Sequence, residues 1–411
     1  MQLVEQHIIG RKHKLYKEID EVCFFGKNLY NRANYIVRQE FINTTKEKEA
    51  GTRTAANWIR YHELQKTLQK EVDYTKLPAK VSQQVLMNLD KSWKSFFTSI
   101  KDWKKNPSKY LGRPRLPRYK DKVNGRAVLT YTIQAISRKK LRTNIVLLSG
   151  TKISVPTKQK NICQARIVPK KGFYVIEIIY EKEVEKAKVN PDKIAGIDLG
   201  INNLAAVTSN LNIQPILVNG RPLKSMNQFY NKKRAELQSY VANKSSRKLE
   251  RLTNKRNRKV NYYLHNASRW IVNYLVQNEI GTLVIGKNKL WKTEVNIGKR
   301  NNQSFVNIPH EKFVHMLTYK CELVGIKVMM TEESYTSKCS FIDKESLEHH
   351  EEYMGKRKHR GLFITKEKSQ INADCNGSGN IIRKVIPNAF ADGIEGVVVH
   401  PARFTPCKLA A

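Results

Sequence analysis

Two short segments hold the residue types from which a reaction can be built: Ile194-Ala-Gly-Ile-Asp198-Leu-Gly-Ile201 and Ile371-Asn-Ala-Asp374-Cys-Asn-Gly-Ser-Gly-Asn-Ile381. The first predicts a buried strand that carries Asp198 among apolar neighbours, with Gly196 and Gly200 letting another segment approach closely. In the second, Asp374 lies among Gly, Asn and Ala, and the following Ile381-Ile382-Arg383-Lys384 reads as a helix. A carboxylate buried in apolar surroundings is costly unless it is paired or holds a metal. An Asp that heads a helix is ordinarily a cap, so neither acid says much alone. Together, on a strongly basic chain, they imply Mg²⁺-dependent chemistry on a polyanion.

The basic character is pronounced. Lys and Arg number 75 against 36 Asp and Glu, which leaves a formal charge of +39 over 411 residues. Self-repulsion of that size is tolerated when a polyanion neutralises it, and nucleic acid is the usual one. The plain alternative is a ribosomal-type or merely soluble basic protein. The six cysteines are scattered without a CxxC pair, which fits a reducing compartment rather than a disulfide framework. No apolar core of signal-peptide length opens the chain and no spanning segment follows, so no membrane partner is expected.

The elements that must position the two acids follow from periodicity. Residues 1–10 alternate loosely and predict one strand. From Tyr16 to Phe41, and again from Val81 to Trp103, apolar residues recur at helical spacing with lysines interleaved on the other sides. Pro107 ends the second helix, and Gly112–Lys120 cannot be helical because its two prolines break the ladder. Strands are predicted at 127–132, 145–148, 165–168 and 173–180, with Lys170-Lys171-Gly172 as a hairpin turn, and Val184–Asp192 as a linker. Beyond it, strands are expected at 194–199, 205–208, 217–218, 283–285 and 326–330, with a long basic helical stretch between the third and fourth. Three strands, helix, strand, helix, strand, insertion and helix is the order of an RNase H-like α/β layer fold. In such a sheet the first strand is central, the fourth lies beside it and the last helix crosses their ends, so Asp198 and Asp374 should converge.

With these residues in hand, the second half resembles the transposon-encoded TnpB family, relatives of the type V CRISPR effector nucleases. The matching segments are Gly196-Ile-Asp-Leu-Gly200, Tyr335-Thr-Ser-Lys-Cys-Ser340 and Asn372-Ala-Asp-Cys-Asn-Gly377 with Asn380-Ile381, and Gly112–Lys120 resembles the family's basic Pro-containing segment. The resemblance implies an RuvC-like nuclease domain preceded by a β-barrel-like wedge domain, itself interrupted by a helical recognition domain. It divides the chain into a first wedge strand (1–12), a helical recognition domain (13–110) and the β-rich wedge (111–188). An RuvC-like domain (189–338) with a basic insertion (223–280) follows. A degenerate zinc-ribbon-like, target-loading segment (339–370), the final RuvC-like helix (371–386) and a tail (387–411) complete it.

This chain departs from the family pattern in two places. The family's usual Glu at the end of the fourth strand is missing, since that strand reads Leu283-Val-Ile-Gly286-Lys-Asn-Lys-Leu-Trp291 with no acid until Glu294. Glu332 and Glu333 end the fifth strand instead, roughly 10 Å from the first by two strand spacings. Alternate strand residues face opposite sides, so only one of the two can serve. Members with an IGKN-type strand resemble this chain in keeping Glu-Ser-Tyr-Thr-Ser, which favours Glu333. Asp198, Glu333 and Asp374 are therefore the implied catalytic, metal-holding set, with Mg²⁺ as the ion or Mn²⁺ in its place. The second departure is the zinc ribbon. Only Cys339 remains of two CxxC pairs, and one thiol makes no structural zinc site without recruiting His349, His350 or Cys375, so zinc is not expected.

Candidate nucleic-acid contacts are Lys287, Lys289, Trp291, Lys292, Lys299 and Arg300 after the fourth strand, Thr336, Ser337 and Lys338 after the acids, and Arg383 on the last helix. For Trp291, base stacking competes with packing as core. The segment 349–361 would be a lid or an exposed hairpin. The resemblance implies a mobile-element RNA-guided DNA endonuclease with a guide RNA from the transposon end, acting on double-stranded target DNA beside a short flanking motif. Its expected place is the prokaryotic cytoplasm, at the nucleoid. Two rival readings are a nuclease-inactive guided repressor and an RNase H-fold transposase that works without RNA.

Overall fold

The computed structural model describes residues 1–241, 245–288, 298, 302–303, 306–359, 361–391, 393 and 401–406. It divides after Glu183 into two compact units.

The first unit starts with β1 (Gln2–Gly10), then α1 (Tyr16–Glu49), α2 (Tyr61–Leu68), α3 (Val72–Thr75) and α4 (Ala79–Lys105). After them come β2 (Leu129–Thr132), α5 (Arg138–Leu141), β3 (Ile145–Leu147), β4 (Ser154–Pro156), β5 (Ile162–Lys170) and β6 (Phe173–Glu181). The strands form an antiparallel sheet in the order β1-β6-β5-β2 and a separate β3-β4 ladder, an open arrangement rather than a closed barrel. The apolar stripe of α4 is core. Val81, Leu86, Leu89 and Trp93 are fully buried, and the Trp93 indole donates to Asn34 Oδ1 at 3.1 Å. The proline segment runs along α1, whose polar face stands in for a neighbouring strand. Asn31 exchanges two 2.9 Å bonds with the Lys120 backbone, while Asn34 and Arg38 donate to the Pro117 carbonyl.

The second unit carries β7 (Asn190–Leu199), β8 (Asn203–Ser209), β9 (Ile216–Asn219), α6 (Arg221–Ser239), α7 (Arg247–Gln277) and β10 (Ile280–Gly286). There follow α8 (His310–Glu322), β11 (Lys327–Thr331), β12 (Lys356–His359), β13 (Leu362–Ile364), β14 (Gln370–Asn372), α9 (Ala373–Val385) and β15 (Ala402–Phe404). Six strands lie in the order β11-β10-β7-β8-β9-β15, and β12-β13-β14 form a small antiparallel sheet of their own. β8 runs antiparallel to both β7 and β9, whereas β10 and β11 continue parallel to β7. β7 is therefore central with β10 beside it, the strand order expected of an RNase H-like sheet. Side chains alternate across it. Ala195, Ile197 and Leu199 pack towards α7 and α8, whereas Ile194, Ala206 and Leu217 pack towards α9. Asp198 has the parity of Ile194 and so stands on the α9 face.

Candidate active site

The last residues of β7 and the first turn of α9 meet here because α9 is built to lie unusually close. A Cβ on Gly377 would stand 2.7 Å from Asp198 Oδ2. Only a glycine leaves room for that carboxylate under the helix. Asn372 caps α9 by accepting from the Asp374 and Cys375 amides at 3.0 and 3.2 Å. The polar residues of the helix are cement. Ser378 Oγ donates to the Gly196 carbonyl at 2.8 Å, Asn376 joins the backbone of Cys339 and Phe341, and Asn380 donates to the Thr336 and Cys339 carbonyls. These side chains fix the 336–341 turn against the helix, a role that pattern reading missed although the asparagines stood in the motif.

Glu333 sits where the empty position on β10 leaves space. A Cβ on Gly286 would meet Glu333 Oε1 at 2.8 Å and Cγ at 2.9 Å. The Glu333 carboxyl thus fills the room that a side chain at Gly286 would take. Asn288 holds it from two sides: the Glu333 amide donates to Asn288 Oδ1 at 2.7 Å, and Asn288 Nδ2 donates to Glu333 Oε2 at 3.4 Å. Glu332 points elsewhere, exposed and paired with Lys384 at 2.6 Å. The reason differs from strand alternation, because β11 ends at Thr331 and both acids lie beyond it. The turn after Glu333, closed by Thr336 Oγ1 donating to its carbonyl at 2.9 Å, sets the direction instead.

Asp198, Glu333 and Asp374 line one cavity of about 770 Å³, together with Asn203, Asn288, Thr336, Ser337, Arg357, Lys358, His359, Arg221 and Arg403. Burial first, then the charges of Glu333 and Asp374, push Asp198 well above the usual carboxylate range, with Arg357 pulling it down. Burial alone raises Glu333 to about 7. Asp374 is differently placed, accepting from Asn203 Nδ2 at 2.7 Å and from Arg357 Nη2 at 3.1 Å. Among the described residues, no three His, Cys, Asp or Glu side chains are grouped closely enough to enclose an ion as they stand. The donor set nevertheless fits a hard divalent cation. Glu333 Oε1 is buried with no hydrogen-bond partner among the described residues, and the charges of Glu333 and Asp374 raise Asp198, which is therefore short of positive charge.

The other predicted contacts separate. Thr336 and Ser337 line the cavity, and the Thr336 hydroxyl is already given to the Glu333 carbonyl. Lys338 does not, and lies over the Tyr353 ring at 5.8 Å. Arg383 gives its guanidinium to the carbonyls of Lys344 and Glu345 and to Asn380, and Lys287 pairs with Glu311 at 2.5 Å. Lys289, Trp291, Lys292, Lys299 and Arg300 lie outside the described residues. Cys339 is buried, with its thiol at the Glu348 carbonyl. The cavity's remaining basic side chains, Arg221, Arg357, Lys358 and Arg403, and the His359 ring beside them, were not among the predicted contacts. For Arg357 to His359 the signal was present in the run Lys356-Arg-Lys-His359.

Fold and site define a mixed α/β protein with three carboxylates gathered at the end of a central parallel pair, on a strongly basic chain. Residues 177–292 match the probable transposase family OrfB_IS605, and residues 310–381 match the Cas12f1-like TNB domain. The TnpB-like protein ORF457 of Acidianus two-tailed virus is 24% identical over 447 aligned residues, covering 95% of this chain and 89% of its own. The chain is thus similar to the TnpB family, through both matched segments and along a TnpB-like relative. Among solved structures, a Cas12f1–sgRNA–target DNA complex shares 14% identity at a TM-score of 0.49, over 88% of this chain and 82% of that one. The mini-RNA-guided endonuclease CRISPR-Cas_phi3 shares 10% at 0.46, over 93% and 92%. No helix among the described residues is long and apolar enough to cross a membrane.

Proposed function

We propose that this protein is an RNA-guided DNA endonuclease of a mobile element that hydrolyses phosphodiester bonds at Asp198, Glu333 and Asp374 with two divalent metal ions. The observation that carries the reading is the Glu333 carboxyl lodged over Gly286, where it completes a set of acids on β7, α9 and the turn after β11. When bound there, Mg²⁺ or Mn²⁺ supplies activation of water and stabilisation of the leaving 3′-oxygen. The chain's own residues prepare that site. Asn288 keeps Glu333 aimed into the cavity, Asn203 orients Asp374, and burial leaves Asp198 and Glu333 poised to give up protons when a cation arrives. Arg357 must turn from Asp374 Oδ1 to free that oxygen, and a DNA phosphate offers it an alternative partner. Guide RNA and target DNA are the partners that the charge of +39 suits.

The ion pair between Arg357 and Asp374 favours a second reading, a guided DNA-binding repressor in which an arginine stands for the metal. A first test separates both from an RNA-free protein. The full chain, purified at low salt, should carry one dominant structured RNA whose sequence maps to the element's end, and the RNA should leave steeply as salt rises. A preparation free of nucleic acid at low salt would refute both guided readings.

A further inference from the structure

We propose that Arg403, with Arg221, forms a phosphate clamp on the wall of the cavity opposite Glu333, gripping the nucleic-acid strand a few nucleotides from the bond to be cut. The inference rests on the nuclease reading and assigns it residues that the three acids do not require.

The register of the sheet places Arg403. Asp198 on β7 stands opposite Ala206 on β8, Ala206 opposite Leu217 on β9, and Leu217 opposite Arg403 on β15. Paired residues share a face, so Asp198 and Arg403 end one row on the α9 side. The adjacent Phe404 turns the other way and stacks on Trp270 of α7 at 3.9 Å, as alternation requires. Three strand spacings separate the two ends of the row, roughly 14 Å. At about 3.4 Å per nucleotide in a stacked strand, and more in a stretched one, that reaches roughly two to four phosphates away.

The strand that carries Arg403 is well held. The Ala402 amide donates to the Pro215 carbonyl at 2.8 Å, and Asn219 Nδ2 donates to Thr405 Oγ1 at 3.1 Å. The same Asn219 accepts from the Arg221 amide at 3.0 Å and so ties both arms of the clamp to the end of β9. Both side chains are exposed, both line the carboxylate cavity, and neither has an ion pair or hydrogen bond among the described residues. They are not counter-ions to the acids, because Arg357 already takes that place on Asp374. Two free guanidiniums at the rim of an acid-floored cavity suit the oxygens of a phosphate that must be attracted past those acids.

The test binds the full guide-loaded protein to matching DNA in EDTA, where cutting is blocked, and follows log K against log salt. Each phosphate contact contributes about 0.7–0.9 to the slope. Arg403→Gln and Arg221→Gln should each lower it by about that much and the double variant by about twice as much, while Arg403→Lys keeps it. Melting temperatures should match the wild type, since neither side chain makes a bond among the described residues. If the wild-type complex binds and cuts but Arg403→Gln and the double variant keep the full slope, the clamp is wrong and the nuclease reading stands. If the wild type does not bind guided DNA, the nuclease reading itself fails and takes the clamp with it.

Discussion

Glu333 and Glu332 are adjacent acids with opposite fates, and the difference lies in what surrounds each carboxyl. Glu333 is held by Asn288 over Gly286, with one oxygen unpartnered among the described residues, while Glu332 is exposed and joined to Lys384. Glu333→Gln should therefore lower guided cleavage by orders of magnitude, and Glu332→Gln should leave it within a few fold; equal rates for both variants would remove Glu333 from the site. Titration gives a second readout. A carboxyl raised from 4.5 to about 7 in the folded protein keeps a proton that the unfolded chain has lost, so its contribution is full below about pH 4.5 and disappears as pH rises through about 7. Without metal, Glu333→Gln should gain stability over the wild type above pH 7, by about 1–3 kcal/mol. Added Mg²⁺ should close that gap by stabilising only the wild type. Thermal melts at pH 5 and pH 8, with and without Mg²⁺, measure both effects.

At the scale of the element, the empty position on β10 and the turn after β11 are two halves of one device. Gly286→Ala would drive a methyl group against Glu333 Oε1 and Ile381 Cδ1, so it should lower cleavage at least tenfold. Combined with Glu333→Ala, the two losses should fall well short of adding, because both act through one carboxyl; simple additivity in that cycle would separate them. Gly286→Glu should not restore the usual family arrangement, since its side chain would compete with Glu333 for the same space beside Asp198. Much of this layer was legible in the sequence. Apolar runs located the strands at 194–199, 205–208 and 283–285, and their order placed Asp198 beside the α9 start. What escaped has physical causes. β15 has three residues and no period to display, and its place depends on Trp270 and Asn219 far along the chain. The residues of β12 are all exposed and basic and pair with β13, one of the two forms expected of 349–361, but exposure and charge alone do not signal that they line the carboxylate cavity. Arg383 looked like a nucleic-acid contact because its charge is visible in the sequence, whereas the carbonyls that occupy it are not.

For the whole molecule, the surplus of 39 positive charges over 411 residues must be met by something outside the chain. A long polyanion meets it and makes association depend steeply on ionic strength. In the second unit Arg221, Arg357 and Arg403 line the cavity in which burial and neighbouring charge hold Asp198 above the usual carboxylate range. In the nuclease reading, these arginines draw a phosphate strand towards the cavity that Asp198, Glu333 and Asp374 line. The measurement that bears most directly on this account is cleavage of DNA matching the copurified RNA, scored beside binding of the same DNA. The wild type should bind and cut in Mg²⁺, and Asp198→Ala and Asp374→Ala should each bind nearly as well and not cut. A wild-type complex that binds its guided target yet never cuts across Mg²⁺ and Mn²⁺ titrations would contradict the account and leave the three acids as the remnant of a nuclease in a DNA-binding repressor.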